Sequence, residues 1–496
     1  MKMLSVVLLL VLQLAGIRAA TVDEISGLVG AGHWQLARQE IADELARTNL
    51  AFQTRQDLLF QRDRMHRLAL DFCKTREQAL ADARRVVPTI TDEQFANWEK
   101  AGAVEAMGVD GTRWYFQNAG ANVFRVNPEA AALKAKTGNR AKDLYRLQDV
   151  KAVLAAYDQS GGATLTVARP NSISGNVQVN YQTGDVRNSP KTWRVTYSLS
   201  VQPGEVPPGE ILRAWLPFPH AGNRQSNIRI VSTDPAQFIQ SPTDAPISCV
   251  YLEKPAAASG PTTFKIAFEY TAAAFYQPLD PAKAQPIPEN DPALKPFLGE
   301  EPTQIVFSDQ IKKLSREIVG AEKNPVLIAR KLFAWSATHL PWAPAREYST
   351  IDCLPAYALG CGHGDCGIKT MTFMTLCRFN GIPARWETGW TTDPVQDMHD
   401  WCEIYLAPYG WVPADVTYGL VDSANEREKW FYLGGIDAGR LVVNMDYNQP
   451  LYPAKIFSRS EIVDFQRGEV EWRGGNLYFN QWRWDFNAEE VKEKSD

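Results

Sequence analysis

Apolar residues recur at intervals of three and four through the first part of the chain: Trp34, Ala37, Ile41 and Leu45, then more loosely Leu58, Met65 and Leu68. That period puts them on one helical face and predicts helices over residues 21–87. The opposite face mixes Arg, Asp, Glu and Gln, as a solvated surface does. Val109-Asp110-Gly111-Thr112 predicts a hairpin turn, with 113–116 and 122–126 as short strands. Asn127-Pro128 predicts a helix start, Gly138 its end, and a further helix falls within 142–157.

After a loop rich in Gly, Ser and Asn (158–190), the period changes to two. Trp193, Val195, Tyr197, Leu199 and Val201 alternate with polar residues, as do Phe264, Ile266, Phe268 and Tyr270. With 212–218, 228–232 and 248–252 as further strands, this spacing predicts an antiparallel β-sandwich. A proline-rich linker follows over 277–304. Helical signals then return: Ser308-Asp309 and Asn324-Pro325 each predict a cap, the second leading to Ile328, Leu332 and Trp335. Residues 468–472 predict a strand on the edge of the last sheet, 430–431 another, and the charged end from 489 a frayed tail.

Composition adds little. The chain has 496 residues, 45% hydrophobic and 22% charged, with a net charge of -5. That charge is too small to suggest a nucleic-acid partner. Lys2 and the apolar run 3–14, ending near Ala19-Ala20, predict a secretory signal over 1–20, and no later stretch is apolar enough to span a membrane. A secreted or periplasmic location permits disulfides. Seven cysteines are an odd number, which suits one free thiol and up to three pairs, with Cys353–Cys361 the expected bridge.

The chemistry gathers between 360 and 418. Gly364-Asp365-Cys366-Gly367 precedes an apolar helix over 368–379, stopped by Asn380-Gly381. A thiol attacks as thiolate, and a helix N-terminus or a nearby imidazolium lowers its pKa. The first amide of that helix is a natural oxyanion donor. His399 opens one predicted strand and Asp415 closes the next, with Pro408-Tyr409-Gly410 as the turn. Alternation then puts His399, Trp401, Glu403 and Tyr405 on the same side as Trp411, Pro413 and Asp415. An aspartate so placed fixes the histidine tautomer and stabilises its protonated form. Cys366, His399 and Asp415 are therefore the candidate catalytic residues. A zinc site built on Cys353, Cys361, His363 and Cys366 is the competing reading of these residue types. It leaves the His399 and Asp415 motifs unused, so neither a metal nor any other cofactor is expected.

Gly-Asp-Cys, Arg378-Phe379-Asn380-Gly381-Ile382-Pro383-Ala384-Arg385, His399-Asp400-Trp401 and Gly410-Trp411-Val412-Pro413-Ala414-Asp415 together resemble the transglutaminase-like superfamily. The stretch 305–485 resembles its secreted bacterial members more loosely. The resemblance implies a papain-like thiol enzyme in which Cys366 is the nucleophile, His399 the general base and acid, and Asp415 the orienting group. The expected fold is α+β: a mainly helical module (21–157), a β-sandwich (158–276), the linker, a transglutaminase-like catalytic domain (305–485) and a tail (486–496). The expected activity is extracytoplasmic thiol hydrolysis of amide or peptide bonds, acting on a peptide, protein or cell-wall peptide. Acyl transfer to an amine, as in a crosslinking transglutaminase, shares the same acyl-enzyme. A catalytically silent polymer-binding protein is the third reading. Trp342 and Tyr348 are set aside as a second oxyanion donor or as packing.

Overall fold

The computed structural model describes residues 20–134, 147–160, 188–222, 224–288 and 290–492. It has an α+β fold whose contacts divide into two units, Met1–Val123 and Phe124–Asp496. Residues 1–19 of the predicted signal segment and Gly138 lie outside the described residues.

In the first unit the predicted helical period over 21–87 is realised as α1 (Val22–Gly30), α2 (Trp34–Leu45), α3 (Phe52–Asp71) and α4 (Arg76–Val86), and a further helix that was not expected, α5 (Asp92–Lys100), follows. Thr21, Thr75 and Thr91 begin α1, α4 and α5 with reciprocal capping boxes. Ile25, Val29, Trp34, Ala37, Ile41, Leu58, Met65 and Leu68 are buried, as their spacing requires. The hairpin forms from β1 (Ala106–Val109) and β2 (Thr112–Tyr115) around Asp110-Gly111. The strand expected over 122–126 is instead part of α6 (Ala119–Val126). Ala119 and Val123 are both buried, and Gly120 lies so close to α4 that an added Cβ would collide with the Ala79 carbonyl. A helix lacking a side chain at that point docks there, and an alternating strand would not. Beyond it come α7 (Pro128–Leu133), capped by Asn127, and α8 (Leu147–Gln159).

The sandwich is built from β3 (Asn188–Val201), β4 (Ile211–Pro217), β5 (Gln225–Asp234), β6 (Ile239–Gln240), β7 (Cys249–Pro255) and β8 (Thr262–Tyr276). Val195, Tyr197 and Leu199 meet Leu212, Leu216, Val250, Leu252, Phe264 and Phe268 in one buried cluster. The proline-rich stretch docks on the turn that follows: Gln285 N donates to the Ala407 carbonyl (2.9 Å), and Tyr409 Oη to the Asp280 carbonyl (2.7 Å).

Next come α9 (Asp309–Val319), capped by Ser308, and α10 (Pro325–His339), capped by Asn324. After α11 (Leu354–Cys361), α12 (Cys366–Phe379) is buried along nearly its whole length. Near it lies a four-stranded antiparallel sheet in the order β11 (Gly410–Ala414), β10 (Asp397–Leu406), β9 (Ala384–Thr391), β13 (Arg440–Asn444). Residues 430–431 follow the short helix α13 (Glu426–Lys429) as a turn, not a strand, and β12 (Gly435–Ile436) pairs with β8. The last strands depart from expectation. β14 (Glu469–Trp472), which also pairs with β15 (Gly475–Leu477), joins β4, and β16 (Trp482–Glu490) joins β3 from Trp482↔Val201 to Glu490↔Trp193. They complete the sandwich, where their inward residues Val470, Leu477 and Trp482 have an apolar core to enter.

None of the seven cysteines is in a disulfide. The expected Cys353–Cys361 bridge fails on geometry. The two residues flank α11, and eight residues of helix span about 12 Å, well beyond disulfide reach.

Candidate active site

The turn before α12 sets the site. Gly362, in the left-handed region (φ 72°), ends α11. The loop at 341–343 is strapped beside Gly364, with Ala343 N donating to the Gly364 carbonyl (3.1 Å) and Gly364 N to the Pro341 carbonyl (3.3 Å). Trp342, 43% exposed, is held there by that pairing. Asp365 is the N-cap: its Oδ1 accepts from Ile368 N (3.2 Å) and from Tyr348 Oη (2.8 Å). Cys366 is the first helical residue. Gly367 must lack a side chain, because a Cβ there would fall on the Tyr348 phenol and Asp400 Oδ2.

Across the sheet, β10 and β11 pair in the register Cys402↔Ala414 and Glu403↔Pro413. One step further brings His399 and Asp415 onto the same side. His399 Nε2 lies 2.7 Å from Asp415 Oδ2. The same oxygen accepts from Arg440 Nη1 (2.9 Å), and Oδ1 accepts from the amides of Thr417 (3.1 Å) and Tyr418 (3.0 Å). Burial would raise the Asp415 pKa, but His399, Arg440 and these donors hold it well below the usual carboxylate range. An ionised Asp415 only accepts, so Nε2 carries the proton and the Nδ1 lone pair is available. Among the described residues Nδ1 makes no hydrogen bond. Arg440 is itself fixed by Asp437 (3.0 Å) and lies over the rings of Tyr418 (4.3 Å) and Trp401 (5.1 Å).

Cys366 goes elsewhere. Its Sγ donates to Asp400 Oδ2 at 3.2 Å, not to His399. Successive strand residues face opposite ways, so His399 and Asp400 leave β10 on opposite faces. Asp400 Oδ2 also accepts from Tyr348 Oη (3.3 Å), and Oδ1 from Gln466 Nε2 (2.8 Å) and Thr388 Oγ1. Burial, then the Asp400 and Asp365 carboxyls, push the Cys366 thiol well above its ordinary pKa. This reverses the expected effect of the helix start: the N-terminal partial charge is outweighed by burial and two acids. Burial pushes Asp365 up to about 7 and Asp400 well above the carboxylate range, Asp464 adding to the latter. Lys369, one turn into α12 and buried, is pulled down to about 8 by burial, against the attraction of Asp415 and Cys366. Among the described residues Cys366 shares no cluster of metal-ligating atoms.

Of the three residues singled out in the sequence, two are hydrogen-bonded to each other and the third to Asp400. Four further members were missed. Asp400 stood inside a recognised motif, and Lys369 was a charge in an apolar helix, so both carried a signal. Arg440 and Gln466 carried none, since only the tertiary fold brings them in.

Residues 312–416 match the model of the Transglutaminase-like superfamily. No curated protein matches the chain. Among solved structures, the chain is similar to a "putative cysteine protease" from Cytophaga hutchinsonii at 14% identity and a TM-score of 0.41, covering 62% of this chain and 94% of that one. It is also similar to the periplasmic domain of TgpA from Pseudomonas aeruginosa, at 14% identity and a TM-score of 0.25, covering 48% and 90%.

Proposed function

Because residues 312–416 carry a transglutaminase-like core, we propose that this protein is an extracytoplasmic thiol hydrolase of amide bonds. The observation that carries the reading is the His399–Asp415 hydrogen bond, braced by Arg440, in the same core as the thiol at the start of α12. Cys366 is the nucleophile. Its proton passes to His399 Nδ1 as Sγ bonds the substrate carbonyl carbon. The backbone amide at the start of α12 holds the oxyanion. The imidazolium, steadied by Asp415, then gives the proton to the leaving amine as the C–N bond breaks. Water, deprotonated by His399, attacks the thioester, and the sulfur leaves with its proton restored. A peptide, protein or cell-wall peptide is the substrate class.

The test is incubation of the full chain and of Cys366→Ala with a peptide and cell-wall peptide library in heavy-oxygen water. Heavy oxygen in the new carboxylates, and an acyl adduct mapped to Cys366, are expected with wild type alone. Equal cleavage by Cys366→Ala, or none by either protein, overturns the reading. Amine incorporation outrunning water replaces hydrolysis with acyl transfer.

A further inference from the structure

Asp400 is fixed from every side. Thr388 Oγ1 and Gln466 Nε2 donate to Oδ1, and Tyr348 Oη and Cys366 Sγ to Oδ2. The two hydroxyls have one hydrogen each and both face a second acceptor, Tyr348 Oη the Asp365 Oδ1 (2.8 Å) and Thr388 Oγ1 the His399 carbonyl (3.1 Å), so these contacts fix the place of the Asp400 carboxyl and not its charge. Cys366 Sγ gives its hydrogen to Oδ2 at 3.2 Å, so the arrangement holds the sulfur as S–H. Gln466 Nε2 also reaches the His399 carbonyl (3.0 Å), tying this acid to the backbone of the histidine on the other face of β10. Gly367 keeps the space into which Asp400 Oδ2 and the Tyr348 phenol approach.

We propose that Asp400 is a positioning residue that holds the resting Cys366 thiol protonated and bonded away from His399. The proposal rests on the reading of Cys366 as the nucleophile. The thiol must leave Asp400 before its proton goes to His399 Nδ1, so Asp400 governs how readily Cys366 ionises. The other titratable groups facing the pair are Asp365 and Tyr348 before α12, Lys369 within it and Asp464 before β14. Three of these are acids or a phenol whose anions disfavour a thiolate, and Lys369 acts in the opposite direction. With an amide at 400, the thiolate has a hydrogen-bond donor and faces no like charge there at any pH.

The experiment is the rate of Cys366 alkylation by iodoacetamide against pH, read by peptide mapping on the full chain. Asp400→Asn is expected to move the midpoint about one pH unit or more towards acid, with about tenfold faster labelling below it. Thr388→Val, which is isosteric and takes one donor from Asp400, makes the carboxylate a stronger acceptor and moves the midpoint towards alkali. An Asp400→Asn midpoint unmoved or moved towards alkali overturns the proposal. If that variant does not fold, a Thr388→Val midpoint unmoved or moved towards acid overturns it. His399→Gln separates the two readings. If it lowers library cleavage while Asp400→Asn leaves the midpoint alone, the hydrolase reading stands and the role of Asp400 falls. If Asp400→Asn shifts the midpoint and His399→Gln changes nothing, the role of Asp400 stands and the hydrolase reading falls.

Discussion

His399 and Asp415 are joined by a 2.7 Å contact from Nε2 to Oδ2, and Arg440 takes the same oxygen at 2.9 Å. The carboxylate is thus held by a permanent cation as well as by the imidazole. Asp415→Asn puts an amide where an anion was, which weakens the preference for a proton on Nε2. In the proposed mechanism this lowers kcat by about 10³- to 10⁴-fold with the fold intact. Arg440→Met leaves the tautomer in place but releases Asp415 from one partner. It costs less, about tenfold to a hundredfold in kcat. Steady-state kinetics beside circular dichroism check both.

Gly367→Ala is the smallest change that disturbs the thiol. The new methyl meets Tyr348 and Asp400 rather than open space. Displacement by a fraction of an ångström to an ångström is expected to lower kcat by about 100-fold. Alanine suits the first turn of a helix, but the clash with a buried phenol is overpacking, so the thermal midpoint is expected to fall by a few degrees as well. A kcat equal to wild type would refute the tight approach.

Asp365 gives the protein a pH-dependent stability. Burial raises its pKa from 3.8 to about 7. Between those values the folded chain binds a proton there that the unfolded chain does not, so stability is full below about 4 and falls as pH rises towards 7. Asp365→Asn keeps the N-cap acceptor and removes the titration. Urea midpoints measured across this window should fall with rising pH in wild type and fall less steeply in the variant.

The sandwich meets the four-stranded sheet of β9, β10, β11 and β13 through a buried charge network. Arg224 donates to Glu403 Oε1 (2.9 Å) and to Glu387, while Arg385 holds the other oxygen of Glu403 and Trp401 Nε1 reaches Glu387. Arg224→Met strands two carboxylates with one guanidinium and is expected to destabilise by about 3–5 kcal/mol in urea unfolding. Adding Glu387→Gln removes one of the like charges and recovers part of that loss.

The helix after Cys366 and the hairpin carrying His399 and Asp415 were legible because each is specified locally. Apolar spacing defines α12, Asn380-Gly381 ends it, and a three-residue turn fixes which side chains share a face. The register itself, Leu406↔Gly410 to Glu403↔Pro413 around residues 407–409, was not legible, because the expected turn lay one residue further on. The surroundings of the thiol were not legible in the same way. Asp400 reads as one polar residue between two aromatic-face neighbours until the fold brings Gln466 and Tyr348 to it. Arg440 reaches Asp415 through the β13–β9 pairing, which leaves no local mark. The same limit explains the misread strand at 122–126. Its alternation is too short to outweigh the close docking that Gly120 permits against α4.

The pairing of β16 with β3 has a consequence for biosynthesis. On the ribosome, the strands of residues 188–276 emerge first and the residues of the thiol site next. The strand that covers β3 comes after both. Until then a long, alternating edge with apolar residues on one face is open to any other strand. Loss of β16 would leave Cys366, His399 and Asp415 all encoded, and the damage would appear first as aggregation of the nascent chain rather than as a defect in chemistry.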